Sequence, residues 1–211
     1  MARPVRTSEQ RSLQDRRHHR QLLQGMAACV GGRGYGATTI ADVVREARVS
    51  KSTFYAHFAD KEECYVALYS AASNNVLDTM RAADAAAAAA GLAWREHLVA
   101  VNAAYLDVLA AGGEVTRSLL VEVQTAGPSA LAMRRDVLSR YVRLMRGVCD
   151  GLRGEDPQLR PLKPDIALGV VGGVNEVVMA TIEAGPVEAV RGLVEVATDL
   201  WAAHLTAPAA R

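Results

Sequence analysis

Apolar residues recur at three- and four-residue spacing along nearly the whole of this 211-residue chain, and alternation with period two is scarce. That periodicity admits helices and little else. Gly and Pro punctuate the pattern at a few points: Gly31, Gly32, Gly34 and Gly36 around Tyr35, then Gly91, Gly112-Gly113, Gly127-Pro128, the stretch from Gly154 to Pro164, and Gly185-Pro186. A Pro that follows such a break suits the first position of a new helix, where its missing N–H has no partner to lose. The reading is an all-α protein with helices over about 10–32, 40–47, 51–58, 61–90, 92–111, 115–125, 128–152, 164–184 and 186–206. With 50% hydrophobic residues the chain can bury a sizeable core. The alanine run 85–90 reads as the exposed end of a long helix, because alanine has the best helix propensity.

Formal net charge is only +1, but residues 1–63 hold 11 Lys and Arg against 7 acids, and the remainder 13 against 16. A basic head on a mildly acidic body suggests that the head alone meets a polyanion. Three cysteines without a CxxC spacing support neither a disulfide framework nor a zinc site, so no metal and no cofactor is expected and a reducing cytoplasm fits best. The arginines of the first 17 residues are followed by no apolar run, which is unlike a signal peptide. The most apolar stretch, 166–182, carries Asn175 and Glu176 near its middle. An acid there costs roughly 2.5 to 3.5 kcal/mol in a bilayer, so no membrane partner is expected.

Residues 38–63, TTIADVVREARVSKSTFYAHFADKEE, are the informative segment. Thr39 can cap a helix starting at Ile40, with Asp42 in its first turn, and Ile40, Val43, Val44 and Ala47 form one apolar stripe. A tight connection over Arg48, Val49 and Ser50 follows, Ser50 capping a second short helix. On that helix Phe54 and Phe58 stack on the inner face, while steps of about 100° place Ser52, Thr53, Tyr55 and Ala56 on the outer arc. Asp60 and Glu63 read as a capping box for the next helix. The outer arc has the chemistry of a recognition helix: Lys51 and Ser52 offer donors to base edges, Lys to guanine O6 and N7. Thr53, Tyr55, His57 and Lys61, with Thr39 and the amides that begin its helix, are donors of the kind that fix register on phosphates. The alternative, a purely structural aromatic cluster, is accepted for Phe54 and Phe58 and not for the outward Tyr55.

The segment resembles the DNA-binding signature of TetR/AcrR-family regulators. The matching residues are Thr39, Val43, Ala47, Val49, Ser50, Thr53, Phe54, Tyr55, His57, Phe58, Lys61 and Glu62, preceded by Leu22, Leu23, Gly34, Tyr35 and Thr38. The resemblance covers roughly residues 20–64 and implies an N-terminal three-helix helix-turn-helix domain followed by a larger helical ligand-binding and dimerisation domain. The division expected is 1–63 and 64–211. Arg48 departs from the pattern, standing where the family usually has Gly, so the turn must be made by a residue with a Cβ. Val44, the Gly25-Met26 pair and Cys64 depart as well, and all three sites can be absorbed by packing.

Downstream, Val187, Val190, Val194, Ala197, Trp201 and Leu205 form a helical stripe widened by Leu193 and Leu200, and the preceding helix carries Gly169, Gly172 and Gly173. Each such Gly costs roughly 1 kcal/mol relative to Ala, which a close backbone approach would offset. The resemblance likewise implies that the last two helices form a homodimer interface. Among the apolar helices between 92 and 152, Asn102, Tyr105, Glu122 and Gln124 are the residues singled out for a ligand pocket. The function implied is a regulator, a repressor by expectation, that binds double-stranded operator DNA of palindromic sequence and is released by an unknown small, mainly apolar ligand. An enzyme is not expected, since no nucleophile–base pair, HExxH or phosphate-cradling loop is present. The remaining alternative is a ligand-independent architectural DNA-binding or protein-interaction module.

Overall fold

The computed structural model describes residues 8–206, which form α-helices, two short 3₁₀ segments and no strand. Chain order is α1 (Ser8–Ala37), α2 (Ile40–Ala47), α3 (Lys51–Tyr55), α4 (Lys61–Ala89), α5 (Trp94–Ala111), α6 (Gly113–Val121), a 3₁₀ turn (Glu122–Gln124), α7 (Pro128–Glu155), α8 (Pro164–Ala184), a second 3₁₀ segment (Val187–Leu193) and α9 (Val194–Thr206). The all-α expectation is therefore met, with the breaks close to the Gly and Pro positions that predict them.

Three boundaries differ, each for a local reason. α1 runs through Gly31 and Gly32 and is broken only at Gly34, whose φ of 77° and ψ of 166° lie where a Cβ is strained. α3 stops at Tyr55, three residues early, because the last turn tightens: the His57 N–H and the Phe58 N–H both donate to the Phe54 carbonyl, at 2.9 Å each. The expected helix over 186–206 is split, and its first third is 3₁₀. Side chains three apart eclipse in a 3₁₀ helix, and Val187, Val190 and Leu193 have that spacing, with Val187 and Val190 fully buried.

The core falls into two clusters. The first gathers Leu22, Met26, Val30, Val43, Phe54, Phe58 and Tyr65 of the N-terminal helices, and reaches into the body through Leu119, Val123, Ala130 and Val137. The second fills the body between α4, α5, α7, α8 and α9 around Leu98, Leu106, Met145, Ile182 and Trp201. α4 runs unbroken from the first cluster to the second, so the boundary expected after residue 63 falls inside a continuous helix. Cys29, Cys64 and Cys149 are free and buried, as small apolar side chains are. α8 is long and apolar enough to cross a membrane, and only a third of it is buried within the chain.

Candidate nucleic-acid interface and ligand cavity

The N-terminus of α2 is a closed capping box. The Thr39 hydroxyl accepts from the Asp42 N–H at 3.2 Å and donates to the Asp42 carboxylate at 2.6 Å, and the Thr39 N–H donates to the same carboxylate at 3.1 Å. Arg45 at 2.7 Å and Arg33 at 3.1 Å complete the shell around Asp42. The Thr39 hydroxyl above all, then Arg45, hold this carboxyl far below the usual carboxylate range. Both donors of Thr39 are thus engaged by Asp42, and a phosphate meeting this helix end would find the amides of Ile40 and Ala41.

The turn from α2 to α3 is made by Arg48 at φ 54° and ψ 43°, the one non-glycine residue with positive φ among those described. Ser50 then caps α3, accepting from the Thr53 N–H at 3.0 Å, with its hydroxyl 2.7 Å from Ser52 and 2.9 Å from Thr53. Phe54 is completely buried and Phe58 nearly so, their rings 5.7 Å apart, and each burial is worth about 1.5–3 kcal/mol. These two residues fix the roll of α3. Lys51, Ser52 and Tyr55 are thereby exposed together, Tyr55 at 58%, and Thr53 is half-buried at the edge of the same face.

His57 is half-buried between His18 and His19 of α1, with ring centroids 6.2 and 6.0 Å away. Burial first, then the neighbouring His19 and His18, push its pKa down against the opposite pull of Asp15. Arg16, Arg17 and Arg20 are exposed on α1, and Arg3 and Arg6 lie outside the described residues.

Lys61 occupies a different place from a free phosphate donor. Its ammonium donates to the carbonyls of Tyr35 and Thr38, both at 3.0 Å, and sits 4.1 Å from the centre of the Tyr35 ring. It therefore closes the end of α1, with one N–H left over. Beside it, the Asp60 carboxylate caps α4 through the Glu63 N–H at 2.8 Å, but Glu63 turns back to the Ala59 N–H at 2.6 Å, one residue outside the expected box.

Two carboxylates join this head to the body. Glu62 accepts from the Ser129 N–H at 2.7 Å and the Ala130 N–H at 3.3 Å, which caps α7 from α4. Glu122 accepts from the Tyr35 N–H at 2.9 Å and from the Ser118 hydroxyl; a Cβ at Gly34 would lie 2.6 Å from its Oε1. The Tyr35 hydroxyl reaches the Ala126 carbonyl at 3.2 Å, and its ring packs 4.5 Å from Tyr65, whose hydroxyl donates to the Ser118 carbonyl at 2.9 Å. Sequence reasoning put Glu122 in a pocket; the structure puts it at this joint, where the amide that follows the Gly34 break and the Ser118 hydroxyl both donate to it. Gln124 is exposed on the 3₁₀ turn, its amide 4.0 Å from the Met179 sulfur, and is not on the cavity either.

The cavity lies between α4, α5, α6, α7, α8 and Trp201 of α9, with a volume of about 390 Å³. Asn102 and Tyr105 line it, as the sequence suggested; Tyr69, Ser73, Asn75, Tyr141 and Asn175 join them among apolar side chains. No Asp, Glu, Lys, Arg or His lines it. Tyr69 and Ser73 escaped notice because they sit on α4, whose pattern reads as plain core. α6 faces two ways: Val115, Thr116 and Leu119 touch the cavity, while Ser118 supports Glu122 and Tyr65 on the side of the head.

Residues 22–68 match the family model for bacterial regulatory proteins of the tetR family. No curated protein matches the chain. Among solved structures, FadR of Bacillus subtilis, a transcriptional regulator in complex with stearoyl-CoA, is 14% identical with a TM-score of 0.73, over 89% of this chain and 99% of that one. FadR of Bacillus halodurans, a fatty acid degradation regulator, is 17% identical at 0.73, over 87% and 93%. GusR of Salmonella enterica is 15% identical at 0.68, over 89% and 95%. At such identities the likeness is one of fold, and it extends through the helical body. Residues 22–68 are thus similar to the N-terminal domain of bacterial regulatory proteins of the tetR family, and the rest of the chain shares the fold of these regulators.

Proposed function

We propose that this protein is a repressor that binds a palindromic operator as a homodimer and is released when a small, uncharged, mainly apolar ligand enters the cavity. The observation that carries this reading is the double face of α6. A ligand that displaces Val115, Thr116 or Leu119 moves the same short helix that holds Tyr35 and the end of α1. The head then tilts as one piece, since Phe54, Phe58 and Tyr65 share its core.

DNA contact falls to Lys51, Ser52 and Tyr55, exposed on one side of α3, with Thr53, His57 and the start of α2 beside them. The dimer is assigned to α8 and α9. Ile166, Leu168 and Val196 are exposed there, and a Cβ at Gly169 or Gly172 would meet nothing within the chain. An apolar surface of that kind, on a helix two-thirds uncovered, calls for a second copy related by a two-fold axis, and two-fold symmetry in turn gives a palindromic site.

The test begins with selection of genomic fragments by the protein, followed by fluorescence anisotropy on the recovered consensus with and without an added acyl compound. Methyl decanoate, small, uncharged and mainly apolar, is the probe. A recovered palindrome and a fall in affinity on adding the probe are the expected results. Fragments with no shared sequence would overturn the repressor reading.

A further inference from the structure

The cavity wall contains three tyrosines whose hydroxyls have no hydrogen-bond partner among the described residues: Tyr69, Tyr105 and Tyr141. Tyr69 is buried, Tyr105 and Tyr141 are half-buried, and none of their hydroxyls is among the sealed, unpartnered polar atoms of the described residues. Tyr105 and Tyr141 meet edge to face with ring centroids 5.6 Å apart. Three hydroxyls without a protein partner on one cavity wall are free to donate to whatever occupies it. Two other polar groups there are already used: the Thr116 hydroxyl donates to the Leu109 carbonyl at 2.7 Å, and the Asn102 amide to the Thr198 hydroxyl at 3.2 Å, while Ser73, Asn75 and Asn175 complete the polar part of the wall.

We propose that Tyr69, Tyr105 and Tyr141 form a cluster of hydrogen-bond donors that recognises a carbonyl oxygen, so that the ligands of this cavity are acyl or keto compounds with an apolar chain. The inference rests on the cavity being the ligand site. Burial pushes all three phenols toward their protonated, donating form, and an ionised Tyr69 would further disfavour ionisation of Tyr105 and Tyr141. Phenols are better donors than acceptors, since the ring withdraws the oxygen lone pair. The guanidiniums of Arg134 and Arg140 lie close enough to Tyr69 to favour negative charge beside it, which suits the partial negative charge of a carbonyl oxygen. With no Lys, Arg or His in the wall itself, a carbonyl is held by hydrogen bonds without a direct ion pair.

Trp201 lines the cavity and reports occupancy through its fluorescence. Titrating the intact protein with 2-nonanone and with 1-nonene, equal in chain length, separates oxygen recognition from simple apolar filling. The ketone is expected to bind roughly tenfold more tightly, because a site built to hydrogen-bond an atom rejects the analogue that lacks it. In Tyr105→Phe/Tyr141→Phe, and in Tyr69→Phe, that preference should shrink toward twofold while the affinity for 1-nonene holds. Equal binding of ketone and alkene by the wild type overturns the inference and leaves the cavity as an apolar ligand site. A preference that survives all three Phe substitutions overturns the assignment to these tyrosines. Failure of both probes to bind removes the ligand site itself, and the inference with it.

Discussion

Arg48 is the residue at which sequence and backbone conflict most openly. A residue with a Cβ in the left-handed region costs about 1 kcal/mol, and no other non-glycine residue described here adopts it. Arg48→Gly is therefore expected to raise stability by about 1 kcal/mol in urea unfolding; no gain would mean that contacts of the Arg48 side chain offset the strain. Lys61 sets a second test, against Lys51. Because its ammonium closes the end of α1, Lys61→Ala should destabilise the head by roughly 1.5–3 kcal/mol and leave the salt dependence of DNA binding unchanged. Lys51→Ala, at an exposed site, should instead leave stability alone and relax base preference at one operator position, at a cost of about 1–3 kcal/mol. A salt slope lowered by one contact in Lys61→Ala would restore the phosphate role that the sequence suggests. His57 gives the pH dependence. Its folded pKa lies below the ordinary value of 6.5, so the unfolded chain binds more protons as pH falls through and below 6.5. Stability present above pH 6.5 is lost across that window. His57→Gln should flatten the fall in melting temperature between pH 7.5 and 5.5, and an unchanged fall would assign it to other groups.

At the scale of elements, what the sequence disclosed and what it concealed follow from the range of the forces involved. Caps and apolar stripes are local, so Thr39, Ser50 and Asp60 stand where residue type places them, and Phe54 and Phe58 point inward as their four-residue spacing requires. The outward face of α3 follows from the same arithmetic. Long-range partners carry no such signal. Glu62 and Glu122 are acids of an ordinary helical surface until the fold brings Ser129 and Tyr35 to them, across 67 and 87 residues of sequence. The same limit explains why Asn102 and Tyr105 were found on the cavity while Glu122 and Gln124 lay elsewhere: polarity among apolar neighbours marks a candidate, and only packing decides which way it faces. The 3₁₀ segment before α9 was legible in principle, since Val187, Val190 and Leu193 repeat every three residues, but a wide stripe fits both periods.

For the whole molecule, two equilibria have to act together: association of two chains and the coupling of cavity to operator. Gly172 has open space around it within the chain, so Gly172→Leu should leave the monomer folded, slightly favoured by helix propensity, and clash only across the α8 surface. Overpacking of about 1–3 kcal/mol would weaken the dimer roughly 5- to 150-fold, seen by sedimentation at micromolar concentration. A wild type that sediments as a monomer would remove the motive for a palindrome. Coupling needs a rigid joint as well as a partner. If the ligand acts through α6, the ligand and the operator must weaken each other by one common factor, about 5- to 150-fold for a coupling of 1–3 kcal/mol. Glu122→Gln should lower that factor toward one, since the neutral amide holds the Tyr35 N–H less strongly than the carboxylate does, while the cavity itself is left intact. Calorimetry of the probe with and without saturating operator, on wild type and Glu122→Gln, measures both factors. Equal probe affinity in the two wild-type titrations would show that the compound is not the inducer. An undiminished factor in the variant would route the coupling through the Glu62 cap on α7 instead.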